Sequence, residues 1–219
     1  RLVEAAKKRG HQVELLPIEA CEAVIHNQKS TLVVNGQPVK DLDVVIPRLG
    51  SVVDLKQIEQ AQLILRHCES VNLPVLMDKS DAIPTAVNKF RAHQVFADHG
   101  IPTPNSAFTM VNDPKKVLSL ANLISAGKNI VVKLVSGSLG EAVFLSTKEN
   151  LNSLLEKLKG ENSPVMLQEY IEEAKGEDLR CLVVGDEVVA TIRRKAKDGD
   201  FRANIGAGGS GAGVDILPK

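Results

Sequence analysis

Apolar positions along the chain follow two spacings, and the elements follow from them. Leu2, Val3, Ala5 and Ala6 line one side of the segment from Arg1 to Arg9, and Lys7, Lys8 and Arg9 load its last turn; this predicts a helix stopped by Gly10. His11 to Leu16 alternates as a strand does. A helix feeding a strand at the first residue implies that a preceding strand is absent from this chain. TLVVNGQPV predicts a hairpin turning on Asn35-Gly36. In DLDVVIPRLG, Val44, Val45 and Ile46 form the unbroken apolar run of a buried parallel strand, ending at Pro47, Arg48 and Gly50. A helix from Leu55 to Cys68 and a short strand from Pro74 to Met77 complete an α/β first domain, residues 1–84.

From Thr85 the pattern becomes α+β. A helix is expected from Thr85 to His99, carrying Lys89 and Arg91 and stopped by Gly100. IPTPNSAFTM enters a strand, and Asp113-Pro114 opens a helix to Leu123. A strand from Asn129 to Leu134 meets a Gly/Ser turn and a returning strand, followed by a helix from Glu149 to Lys159. Further strands are expected at Pro164 to Ile171, Leu179 to Val184 and Glu187 to Ile192, the last two joined by Gly185-Asp186. We divide this half into subdomains 85–166 and 167–219. Only the polar, glycine-rich IGAGGSGAG separates the last strand from GVDIL, too little for a packed crossover. Residues are therefore expected to be missing near 210–213, between Ser210 and Val214, and the chain to be incomplete at both ends.

Composition narrows the function classes. Hydrophobic residues make up 43% and charged residues 25% of 219, as in an ordinary globular protein; aromatics are 3%, so the core rests on Val, Leu, Ile and Ala. Lys and Arg together equal Asp and Glu, 27 each, which argues against a general binder of DNA or of an anionic membrane. No apolar run approaches the ~18 residues of a membrane span, and the start lacks the apolar core of a signal peptide. Cys21, Cys68 and Cys181 are odd in number and form no CxxC pair, which predicts reduced, buried thiols in a cytoplasmic protein.

Four stretches carry candidate chemistry. In VVKLVSGSLG, Lys133 stands in an apolar strand, where an ammonium needs an anion or a route to water. Ser136, Gly137, Ser138 and Gly140 follow, small enough for backbone N–H groups to cradle a phosphate. The pattern is neither GxxxxGK[ST] nor GxGxxG, and a tight hairpin with a surface lysine reads it equally well. In QEYIEEAKGEDLR, a strand leaves its sheet at Glu169-Tyr170, exposing backbone groups suited to an adenine edge. Asp178 and Arg180 share a face of the next strand, as a ribose and anion pair or as a solvated ion pair. In RRKAKDGDFRAN, Arg193 and Lys195 share one face with Arg194 opposite, ahead of Arg202, Ala203 and Asn204; such cations suit a polyphosphate or simply protect an edge strand. Asp215, between Val214 and Ile216, is either a ligand for a hard Mg²⁺ ion or half of a salt bridge.

Taken in order, VVIPRLG, NKFRAHQVFADHGIPTP, VVKLVSGSLG, QEYIEEAKGEDLRCLVVGDEVVA, RRKAKDGDFRANIGAGG and GVDILP resemble the ATP-grasp superfamily, and within it the RimK-like family of ribosomal-protein glutamate ligases, over nearly the whole chain. The resemblance implies an α/β pre-ATP-grasp domain followed by two α+β subdomains that clasp ATP. It implies that Lys89 and Lys133 reach the phosphates, with Ser136, Gly137, Ser138 and Gly140 as a phosphate loop and lid. Glu169 and Tyr170 would read adenine, Asp178 the ribose, and Arg202, Ala203 and Asn204 the γ-phosphate, with Arg202 catalytic. Arg48, Arg180 and Arg194 are candidates for binding a substrate carboxylate. Asp215 would hold Mg²⁺ or Mn²⁺, with further ligands beyond Lys219. The implied reaction joins free glutamate to the C-terminus of a ribosomal protein through an acyl phosphate, in a cytoplasmic homo-oligomer. A relative using another amine and acid, such as an amino-group-carrier or coenzyme glutamate ligase, and a catalytically silent nucleotide-binding module are the alternatives. The acyl-phosphate route needs no nucleophilic side chain, in keeping with the lack of a Ser-His or Cys-His signal.

Overall fold

The computed structural model describes residues 1–39, 42–48, 55–75, 79–111, 113–135, 142–158 and 164–215. It divides into two compact units, Arg1–Pro84 and Thr85–Lys219.

In the first unit, α1 spans Leu2–Lys8 and α2 spans Leu55–Ser70. Strands β1 (Cys21–His26), β2 (Lys29–Val34) and β3 (Gln37–Pro38) form an antiparallel sheet in that order. The Asn35-Gly36 turn is as expected, with φ of 49° and 75°; this mirror-image turn matches the strand twist. Helix α2 packs its apolar side on this sheet, where Cys21, Leu32, Ile64 and Cys68 are buried together.

Three expectations for this unit are corrected. His11 to Leu16 is not a strand; the first strand lies later, at β1, and turns into β2 through Asn27-Gln28, both at positive φ. Val44 to Ile46 is not a buried strand: only Val45 bridges, in parallel, to Val75, while Val44 and Ile46 stay 37% and 41% exposed. The Pro74 to Met77 strand reduces to that bridge at Val75, with Leu76 and Met77 outside the described residues.

The second unit contains two antiparallel sheets. The first has the order β4 (Ser106–Met110), β7 (Pro164–Glu169), β5 (Asn129–Leu134), β6 (Val143–Thr147). Its register places Ile130, Val132, Val165 and Leu167 on one face, against Val117 and Ala121 of α5 (Pro114–Ile124) and Leu151, Leu155 and Leu158 of α6 (Leu151–Leu158). Asp113 caps α5 by accepting from the amides of Lys115 and Lys116 at 3.0 and 3.3 Å. The opposite face carries Ser106, Phe108, Val131, Lys133, Val143, Leu145, Met166 and Gln168, because residues directly across a ladder point the same way. The second sheet has the order β10 (Ser210–Gly213), β9 (Glu187–Lys195), β8 (Glu177–Val184).

Here too the sequence reading needs correction. The helix expected from Thr85 to His99 is two helices, α3 (Ala82–Val87) and α4 (Lys89–Asp98). Asn88 is extended between them, and its side chain accepts from the Arg91 amide at 3.0 Å, so a capping residue resets the helix. The stretch expected to lack residues near 210–213 is the continuous strand β10. It returns antiparallel to β9, a pairing that requires no crossover. The division proposed at 166/167 would fall inside β7; the chain passes from one sheet to the other between Glu169 and Glu177. Cys21 and Cys68 are buried as expected, with burial pushing the Cys68 thiol up to about 11, but Cys181 is exposed on β8. Among the described residues no helix is long and apolar enough to cross a membrane.

Candidate active site

The face of the first sheet of the second unit that is turned away from α5 and α6 holds a compact set of polar groups among apolar neighbours. Lys133 projects from β5 on that face. Lys89, the first residue of α4, donates from Nζ to the Leu134 carbonyl at 3.0 Å, and its amide donates to the Val135 carbonyl at 3.3 Å. Helix α4 thereby lies over the sheet, and Phe90 meets Phe108 of β4 at 5.5 Å between ring centroids. Burial pulls both ammonium groups below the ordinary lysine range, and for Lys133 the nearby charge of Lys89 adds to the effect. Lys133 donates to Oε1 of Gln168, a neutral partner. Two half-buried cations that repel each other make a site that gains energy when an anion arrives.

A cavity of about 660 Å³ opens beside this face, lined by Leu145, Tyr170, Lys175, Asp200, Phe201 and Arg202 together with Gly176 and Gly199. Leu145 belongs to the Lys133 face, so the cavity joins that face to the second sheet and its loop. Tyr170 and Phe201 meet edge to face at 6.3 Å. Arg202 lies 5.9 Å from the Phe201 ring centre and forms a two-pronged bond to Asp200, Nε to Oδ1 at 3.0 Å and Nη2 to Oδ2 at 2.9 Å. The Arg202 guanidinium holds the Asp200 carboxyl well below the usual carboxylate range. Gly209 anchors the other end of this loop: a Cβ there would stand 2.8 Å from the Lys195 carbonyl oxygen and 2.9 Å from that of Ala203.

The remaining candidates fall as follows. Glu169 ends β7; its N–H donates to the Asn105 carbonyl at 2.9 Å, so that group, expected to face adenine, is already engaged. Its carboxylate accepts from Asn105 as well, at 2.9 and 3.0 Å. Asp178 is gripped by Arg194, directly opposite on β9, at 2.7 and 2.6 Å. Arg193 and Lys195 share the other face, as expected, and both approach Glu177, at 3.6 and 3.7 Å. Arg180 is exposed on β8, and Ala203 is buried next to the half-buried Asn204. Arg48 is exposed in the first unit. Ser136, Gly137, Ser138 and Gly140, and with them the expected lid, lie outside the described residues.

Asp215 is exposed rather than enclosed in a buried strand, because β10 is an edge strand with open faces. It lines a hollow with Val188, Thr191 and Val214 and is not among the residues around the Arg202 cavity. Its carboxylate suits a hard cation, but among the described residues no three His, Cys, Asp or Glu side chains gather to hold one. The described residues therefore do not make a metal site by themselves.

Asp200, Phe201, Lys175, Gln168 and His93 escaped the sequence reading. Asp200 sits two residues before Arg202, and His93 lies four after Lys89, the spacing that puts both on one helix face.

Comparison with known proteins agrees with this geometry. The RimK-like ATP-grasp domain family matches residues 86–219, and the RimK pre-ATP-grasp domain family matches residues 1–83. A probable alpha-L-glutamate ligase of Citrobacter koseri is 39% identical over 220 residues, covering 100% of this chain and 71% of that protein. A ribosomal protein bS6–L-glutamate ligase of Shigella boydii is 39% identical with the same coverage. The ATP-grasp ligase PsnB, solved with a minimal precursor, shares the fold at a TM-score of 0.67 and 20% identity, over 99% of this chain and 72% of that one. A RimK domain protein from Sphaerobacter thermophilus does so at 0.65 and 17%, over 91% and 70%. The chain belongs to the RimK-like ATP-grasp family.

Proposed function

We propose that this protein is an ADP-forming carboxylate–amine ligase that adds glutamate to the C-terminal carboxylate of a ribosomal protein. The observation that carries the reading is the half-buried Lys133 ammonium, hydrogen-bonded to a neutral amide with the Lys89 charge nearby, on the sheet face whose Leu145 adjoins the cavity lined by Arg202. The names of the glutamate ligase relatives support the choice of substrates.

In this reading ATP occupies the cavity with its phosphates toward Lys89, Lys133 and Arg202. The 169–170 segment and the Tyr170–Phe201 pair flank the base, and Asp178 lies toward the ribose. Ser136, Gly137, Ser138 and Gly140, outside the described residues, are the proposed phosphate loop. A substrate carboxylate oxygen attacks the γ-phosphorus and ADP leaves. The amine of glutamate then attacks the acyl carbon, inorganic phosphate leaves, and the nitrogen loses a proton. The cations stabilise charge that builds on the phosphoryl oxygens, the main source of rate acceleration open to a site without a nucleophile. Within the second unit, Arg180 and Arg194 are candidates to orient a carboxylate; Arg194 does so only by exchanging Asp178 for substrate. A divalent cation, Mg²⁺ or Mn²⁺, would neutralise further phosphate charge; Asp215, in a separate hollow, is not positioned among the described residues to hold it there.

We further propose that residues 1–84 form the pre-ATP-grasp domain and that the two sheets of the second unit act as the two clasps, with the change of subdomain after Glu169. The cytoplasm is the compartment in which ribosomal substrates are met, and a homo-oligomer is the expected assembly. The test is mass spectrometry of a ribosomal protein after incubation with ATP, Mg²⁺ and glutamate. Mass increments of one glutamyl residue support the assignment. ADP release only with a different acid and amine would move the protein to another branch of the family, and no ADP release with any pair would make it a silent binding module.

A further inference from the structure

Gln168 is a buried polar side chain whose three neighbours fix its orientation. Lys133 carries only donors on Nζ, so the amide oxygen must face it, and Oε1 does. The amide nitrogen therefore points the other way, where it meets Ser106 Oγ at 3.1 Å and His93 Nε2 at 3.3 Å. Ser106 spends its own proton on the Pro104 carbonyl at 2.8 Å and receives the amide as an acceptor. His93 must likewise accept at Nε2, which places its proton on Nδ1, a buried atom with no hydrogen-bond partner among the described residues.

We propose that Gln168 is a positioning residue for nucleotide binding: its amide, oriented by Ser106 and by the Nδ1–H tautomer of His93, holds the Lys133 ammonium at the phosphate site. This inference rests on the reading of Lys133 as a phosphate ligand. A neutral amide is suited to the task. It orients the cation while leaving the positive charge intact, whereas a carboxylate in its place would neutralise the charge that the phosphates need.

The network also sets a condition on His93. A proton on Nε2 would turn acceptor into donor, facing the NH₂ of Gln168, and the amide could no longer satisfy both Lys133 and His93. The groups facing His93 are Lys133 from β5 and Gln168 from β7, with Lys89 four residues back on its own helix; both lysines are charged, and Lys133 is the one whose charge acts on the ring. Burial, with Lys133 adding to it, holds His93 below the ordinary histidine range, in the same sense as the acceptor geometry at Nε2.

The experiment is calorimetric titration of the full chain with a non-hydrolysable ATP analogue and Mg²⁺. The variants are Gln168→Leu, Gln168→Glu and His93→Gln, with Lys133→Met as the reference for the underlying reading. Loss of one hydrogen bond to a charged group predicts an analogue Kd raised about 10-fold to 100-fold in Gln168→Leu. Gln168→Glu is expected to bind more weakly than wild type although its size and fold are kept. In His93→Gln, the glutamine oxygen restores an acceptor that does not titrate; affinity should be kept near neutral pH, and the additional weakening expected of wild type on acidification should be lost. Nitrogen-15 NMR should show the Nδ1–H tautomer of His93, a signal absent from His93→Gln. If Gln168→Leu and Gln168→Glu both bind as wild type while Lys133→Met does not, Gln168 has no positioning role and Lys133 keeps its own. If Lys133→Met also binds as wild type, the phosphate reading itself falls. An Nε2–H tautomer, or an acid limb that persists in His93→Gln, overturns the part assigned to His93.

Discussion

Replacing Lys133 by Met is the most informative single change in the proposed nucleotide site. Met retains the length and apolar body of the side chain and removes the charge. A phosphate oxygen about 4 Å from an ammonium gains about 4 kcal/mol at an effective dielectric constant of about 20. In the proposed reading Lys89 shares the same anion, so about half of that gain belongs to Lys133. A loss of about 2 kcal/mol raises the Kd for an ATP analogue roughly 30-fold. In the catalytic step, where the transferring group carries more charge, the cost should reach about 10²–10³ in kcat/KM. The free protein responds differently. The change removes an ammonium that burial has already made costly, and it leaves Gln168 Oε1 without its donor. These effects oppose each other, so thermal stability should move by no more than about 1 kcal/mol. Calorimetry for binding and a melting curve for the apoprotein measure the two quantities separately. Binding within threefold of wild type, in a variant that melts normally, would refute the reasoning.

Other outcomes follow from the same structure. Leu155→Ala, at a position 1% exposed between α6 and the first sheet, should cost about 2–5 kcal/mol in urea unfolding; a cost under about 1 kcal/mol would mean that this core is not packed as described. Gly209→Ala drives a Cβ against the backbone oxygens of Lys195 and Ala203, so the loop carrying Arg202 must shift; nucleotide affinity should fall more than in Gly206→Ala, where nothing lies within 4 Å of the added atom. Asp200 has a folded-state pKa depressed by Arg202 below its ordinary value of 3.8. Its contribution to stability is therefore complete above pH ~4 and is lost as pH falls through the folded value. Acid unfolding of Asp200→Asn should be less steep below pH ~4 than that of wild type, and equal slopes would remove the ion pair from the account.

Local sequence signals located the elements wherever they dominate. Asn129 to Leu134 is the strand that its apolar run predicts, Asn35-Gly36 turns where a mirror-image hairpin demands it, and Asp113-Pro114 opens α5 with a capping acid. Elements settled by distant partners were missed. β10 is built from Ser, Gly and Ala and owes its existence to the ladder with β9, since it has no side-chain pattern of its own. Val44 and Ile46 are apolar, yet the only strand contact described there is one bridge at Val45. At the site, Lys133 stood out because a lysine in an apolar strand violates the local pattern. The role of Gln168 was hidden because it depends on β4, β5 and α4 meeting around β7. Asp178 was read as a ribose ligand, and its grip by Arg194 depends on a register that only the folded hairpin fixes.

The central claim is that ATP lies between the Lys133 face and the loop carrying Arg202. Photoaffinity labelling with an azido-adenine ATP analogue and Mg²⁺, followed by peptide mapping, tests it directly. The account predicts ATP-competed label on peptides containing Tyr170 or the 199–204 loop, and loss of that label in Lys133→Met. Label confined to residues 1–84, or label that excess ATP does not displace, would contradict it.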